Sequence, residues 1–174
     1  MRTFWHGVAV VNAAVWFGAG AFLTAVVGPS FFSAAVTDLV GRQNAGLIAQ
    51  TVLAKYFVWQ GVCAGVALLL QWTQGGVGRR AWRSRGLLAG LLVLVAVGGL
   101  GLQPKMVALN RQRHAVTTSP EEQAVLARRF GMWHGVSQAG NLLVLLGAFA
   151  HLVILAHGPA AHRSAPAVDP QNRA

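Results

Sequence analysis

His134, Gln138 and Asn141 stand four and three residues apart, with Ser137 beside them, inside a long apolar run. At 3.6 residues per turn this spacing puts the three on one stripe of a helix. An imidazole, two amides and a hydroxyl on one stripe suit a polar ligand or an ion path, and equally a clamp between neighbouring membrane helices. Lys55 and Lys105 are expected near the same end, where the charged groups together would attract an anion. His6 and His151 form a second constellation at the opposite end, and two imidazoles from different helices are the pair to consider for haem b. The tetrapeptide Trp-His-Gly-Val recurs at 5–8 and 133–136. Helix direction nevertheless sets His6 and His134 at opposite faces, on the order of 30 Å apart, so they cannot share a metal ion.

The elements that must position these residues follow from composition. Of 174 residues 55% are hydrophobic and 10% charged, against about 25% charged in a soluble domain. Four stretches, at about 4–27, 53–72, 86–102 and 130–156, approach or exceed the roughly 20 residues of helix that cross a hydrocarbon core. The expected fold is all-α: one integral membrane four-helix bundle over 1–157, followed by a disordered tail at 158–174 rich in Pro, Ala and small polar residues. Trp5, His6, Asn12 and Trp16 argue that the first span is a retained anchor and not a cleaved signal. The single cysteine, Cys63, permits no intrachain disulfide.

Helix ends can be placed more finely. The run Ser-Pro-Glu-Glu at 119–122 combines an N-cap, a first-turn proline and a glutamate three residues after the cap, so the fourth helix should start at Pro120. A similar start is expected near Thr37 and Asp38 for the second helix. Pro29 and Pro104 should kink or end the first and third helices. The helices then project beyond the bilayer on one side. Gly61 and Gly65, Gly86 and Gly90, and Gly131 and Gly135 are spaced for close helix approach.

The net charge of +10 lies in the loops, which points to membrane topology and not to nucleic acid. Arg79, Arg80, Arg83 and Arg85 crowd the middle loop, which favours cytoplasmic termini. Lipids are the expected partners, with a homo-oligomer or other membrane proteins open. Enzyme chemistry finds little support: there is no pair of carboxylates in the spans, no phosphate-binding loop, no dinucleotide fingerprint and no zinc motif.

The residues His6, Trp16, Gly18, Phe22, Pro29, Phe31, Phe32, Tyr56, Phe57, Pro104, Lys105 and Ala108, together with the segment FGMWHGVSQAGNLL, carry a family likeness. Over about 4–155 the chain resembles the membrane domain of transmembrane protein 205 and its bacterial relatives of unknown function. That resemblance implies a four-helix protein of the bacterial inner membrane without established catalytic chemistry. A broader likeness links it to membrane proteins of the copper resistance protein D type and to bacterial haem-binding protoporphyrinogen oxidases. It lacks the Met-rich or Cys-rich copper motif of the former, and its histidine placement does not by itself reproduce the haem site of the latter. Three functions stay open: a small transporter or resistance-type protein using the His134 stripe, a haem protein using His6 and His151, and an accessory subunit of a larger membrane complex.

Overall fold

The computed structural model describes residues 1–74, 76 and 78–157, and the expected disordered tail lies outside the described residues. Among the described residues there are five helices: α1 (Thr3–Phe31), the short α2 (Ala34–Val40), α3 (Arg42–Gln74), α4 (Ala81–Arg113) and α5 (Pro120–Ala156). Among the described residues there is no strand. Each expected span falls inside one of the four long helices, all apolar enough to cross a membrane. The fold is the expected all-helical one.

α3 and α4 have 33 residues and α5 has 37. At 1.5 Å per residue that is about 50 to 55 Å of helix, against a hydrocarbon core of about 30 Å. The surplus gathers where α1 ends, α3 begins, α4 ends and α5 begins. This shared overhang is where the candidate site lies.

The ends of the helices obey local chemistry. Ser119 Oγ accepts from the Glu122 amide at 3.3 Å, while the Ser119 amide donates to Glu122 Oε2 at 3.0 Å. Helix α5 therefore starts at Pro120 as expected. The second start differs from expectation. Thr37 donates its hydroxyl back to the Ser33 carbonyl at 3.0 Å instead of capping a new helix, and Gly41, at φ 78°, turns the chain. Only glycine takes that conformation freely, so α2 stands apart and α3 begins at Arg42.

A kink or an end is expected at Pro29 and Pro104, and neither helix ends at its proline. α1 runs on to Phe31 and α4 to Arg113. Each proline is preceded by a π-helical stretch, Leu23–Val27 in α1 and Val97–Leu102 in α4. There the Gly28 amide bonds to the Leu23 carbonyl, and the Gln103 amide to the Gly98 carbonyl, each five residues back. The widened turn accommodates a ring that would otherwise strike the preceding turn and supplies no N–H.

The core joins all four long helices through Trp16, Cys63, Ala64, Leu88, Leu91, Val144 and Ala148. Glycine does help the helices meet, but at other positions than the paired spacing indicated. Beside Gly61, Gly65, Gly86, Gly90, Gly131 and Gly135 an added Cβ would meet nothing within 4 Å. The tight places are Gly20 against Leu145, Gly98 and Gly99 against Phe57, and Gly147 against Leu91. Here a large side chain fills the gap left by a glycine, so backbones need not touch. The basic cluster is also relocated, because helical backbone already begins at Arg79, just ahead of Ala81, and the arginines lie in the first turns. The Arg85 guanidinium sits 5.0 Å from the Trp72 ring centroid.

Candidate functional site

A cavity of about 550 Å³ opens among α1, α3, α4 and α5 at the overhanging end. Helix α5 supplies His134, Ser137, Gln138 and Asn141, so the stripe expected from spacing does face one shared space. Thr24 comes from α1, Gln50 and Tyr56 from α3, and Gln103 and Asn110 from α4. Phe31, Phe32, Phe57 and Phe130 give it aromatic walls, while Arg42, Arg113 and His114 add charged or titratable groups.

Asn141 is the node. Its Nδ2 donates to Thr24 Oγ1 at 2.9 Å, and its Oδ1 accepts from the Tyr56 hydroxyl at 3.4 Å. One side chain thereby ties α5 to α1 and α3. One turn earlier, Gln138 Nε2 lies 3.4 Å from His134 Nε2. An amide nitrogen only donates, so this contact calls for the imidazole proton on Nδ1. Phe130 stacks beside the His134 ring, with centroids 6.0 Å apart and planes within 7°. His134 and Gln138 are exposed, and Ser137 and Asn141 half-buried, so the space is open and not sealed. On the opposite wall Gln103 Nε2 donates to the Gln50 carbonyl at 2.8 Å, while the buried Gln50 Oε1 has no partner.

The lysines do not join this group. Lys55 is exposed and does not line the cavity. Lys105 Nζ lies 3.4 Å from the centroid of the Trp133 ring, a cation–π contact that holds it outside. The cations at the cavity are Arg42 and Arg113 instead. No carboxylate lines the space, and neither arginine has an ion-pair partner among the described residues.

His6 and His151 are not brought together. Phe17 meets Phe149 at 5.2 Å and Gly20 faces Leu145, which fixes the antiparallel register of α1 and α5. In that register His6 lies about nine residues, or roughly 13 Å, beyond the level of His151. His6 is exposed, whereas His151 is 2% exposed with no partner for Nδ1. The structure therefore does not bring the two imidazoles to a common level. Among the described residues no three His, Cys, Asp or Glu side chains come together as metal ligands.

Several lining residues escaped the sequence reading. Gln43, Gln50 and Phe57 recur every seven residues, as do Gln103 and Asn110, and each set lies along one helical face. Amides at seven-residue intervals flanking an apolar run were the available signal. These amides lie outside the most apolar stretches, 53–72 and 86–102, in segments where the hydropathy pattern is weakest.

A family model described as Domain of unknown function (DUF4149) matches residues 11–115. The matched stretch contains the walls from α1, α3 and α4 and ends before α5, whose stripe lies beyond it. It leads to a family without an assigned function, as the resemblance implied. No curated protein and no solved structure matches the chain.

Proposed function

We propose that this chain, which belongs to the DUF4149 family of domains of unknown function, binds a small molecule in its interhelical cavity and acts as a small transporter. A multi-pass arrangement of four apolar helices is the frame for this reading. The observation that carries it is how the stripe on α5 divides. Asn141 alone is engaged across helices, by Thr24 and Tyr56. Among the described residues His134 and Gln138 hydrogen-bond only to each other, His134 stacks with Phe130 of the same helix, both face open space, and Ser137 borders it too. A pure clamp would engage all of them across helices, because unsatisfied polar groups are costly in hydrocarbon. The cavity volume also falls within the range of about 300 to 1,000 Å³ usual for small-molecule sites.

The site runs from the overhanging helix ends into the spanning parts of α3 and α5, and the π-helical stretches before Pro29 and Pro104 adjoin it. In our reading both termini are cytoplasmic, as the arginines at 79, 80, 83 and 85 favour. The cavity then opens to the opposite side.

Ser137→Trp tests this by filling the cavity. Protein purified gently from membranes is extracted, and the released small molecules are compared by mass spectrometry. Wild type should carry a species that the tryptophan variant lacks. Identical extracts from two equally folded proteins would overturn the reading.

A further inference from the structure

We propose that the cavity takes an amphiphile with one anionic head, a carboxylate or phosphate ester, and an apolar chain. This inference rests on the cavity being a binding site, and it adds the class of ligand. The first support is charge: Arg42 opens α3, Arg113 closes α4, and both line the cavity with His114 beside Arg113. No acid lines the same space and neither arginine is ion-paired among the described residues. A guanidinium presents a planar fork of donors that matches a carboxylate or phosphate. A half-buried cation such as Arg113 is better stabilised by an anion than left without one.

The second support is how the polar and apolar groups are arranged along the helices. The arginines stand at the overhanging ends of α3 and α4, at headgroup level. Leu53, Tyr56 and Phe57 lie three to four turns deeper on α3, and Leu23 marks the same depth on α1. Phe31, Phe32 and Phe130 flank the passage between the two zones. A molecule oriented by the bilayer, with head at the interface and chain toward the core, matches that order. The amides of Gln50 and Gln103 line the wall between the two zones.

This chemistry has two natural sources, an anionic phospholipid of the bilayer and a free fatty-acid-like molecule. Native mass spectrometry of the full chain distinguishes them. Protein is reconstituted in phosphatidylcholine nanodiscs, with and without phosphatidylglycerol, and separately exposed to oleate or to oleyl alcohol. Wild type should retain an anionic probe in preference to its neutral counterpart. In the double variant Arg42→Gln, Arg113→Gln that preference should fall by at least about tenfold, since charge-assisted bonds are lost. Arg42→Glu, a change at an exposed position, should weaken retention without disturbing the fold. Retention of phosphatidylglycerol but not oleate identifies the bilayer as the source, and retention of oleate identifies a free amphiphile.

Ser137→Trp separates the two claims. If oleate and oleyl alcohol bind wild type equally and both are lost in Ser137→Trp, the cavity is a site but its ligand is not anionic, and the present inference fails. If the tryptophan variant retains whatever wild type retains, the cavity reading itself fails.

Discussion

Gly147→Leu should leave the bundle unable to close. A Cβ at this position would lie 2.5 Å from Leu91 Cδ2, 2.9 Å from Cδ1 and 3.1 Å from Cγ. Leu91 is 4% exposed and belongs to the core, so it has little room to turn away. The remaining leucine carbons extend the conflict between α5 and α4. Overpacking of this kind costs about 1 to 3 kcal/mol and occasionally more, and three close contacts at one carbon place this change at the upper end. The thermal midpoint of the purified variant should drop by many degrees, or the protein should fail to accumulate. Gly140→Leu is the control on the same helix, because an added Cβ there meets nothing within 4 Å. Equal midpoints for the two variants would contradict the packing described for α4 and α5.

Asn141→Leu should sharply reduce ligand retention at modest cost in stability. The change removes both cross-helix contacts at once, leaving the Thr24 and Tyr56 hydroxyls without their amide. A hydrogen bond between membrane helices averages about 0.6 kcal/mol and reaches about 1.7. A stability loss on the order of 1 kcal/mol is therefore expected, small enough for the protein to accumulate. The binding effect should be larger. Tyr56, 8% exposed, is oriented on the cavity wall through Asn141, and leucine replaces the polar node with an apolar surface. Retention of the co-purifying species should fall more than about tenfold, as loss of buried polar recognition does elsewhere. If retention is unchanged while the midpoint falls, Asn141 is a clamp and nothing else.

How much of this was legible in the residues depends on the range over which each effect acts. Short-range chemistry was: the Ser119 and Glu122 cap and the shared face of His134, Gln138 and Asn141 follow from spacing alone, and both are present. Prolines were harder, because the rule that a ring breaks a helix does not say whether a π-turn will absorb it, as happens before Pro29 and Pro104. The glycine pairs failed for a related reason. Spacing identifies a face but not its neighbour, and the faces of Gly61 and Gly65 or Gly131 and Gly135 meet no other helix.

Depth was also misleading for the charged groups. Lys55, Lys105 and His134 were expected at one level, yet position around the helix, not depth, decides what a side chain meets. Lys55 faces outward and Lys105 is held by Trp133, while Arg42 and Arg113 reach the cavity from helix ends lying beyond the expected spans. The His6 and His151 pairing needed a register that only contacts such as Phe17 with Phe149 supply.

The central claim is that the α5 stripe borders an open cavity and is not a clamp sealed between helices. Ser137→Cys in a Cys63→Ala background tests it directly, since Cys63 is the chain's single cysteine and is 3% exposed. The variant is treated with a membrane-impermeant maleimide in intact cells and in inverted vesicles. The account predicts labelling from one side only, the side opposite the termini, at a rate approaching that of a loop cysteine. Failure to label from either side, in a folded protein whose loop cysteine does react, would contradict it.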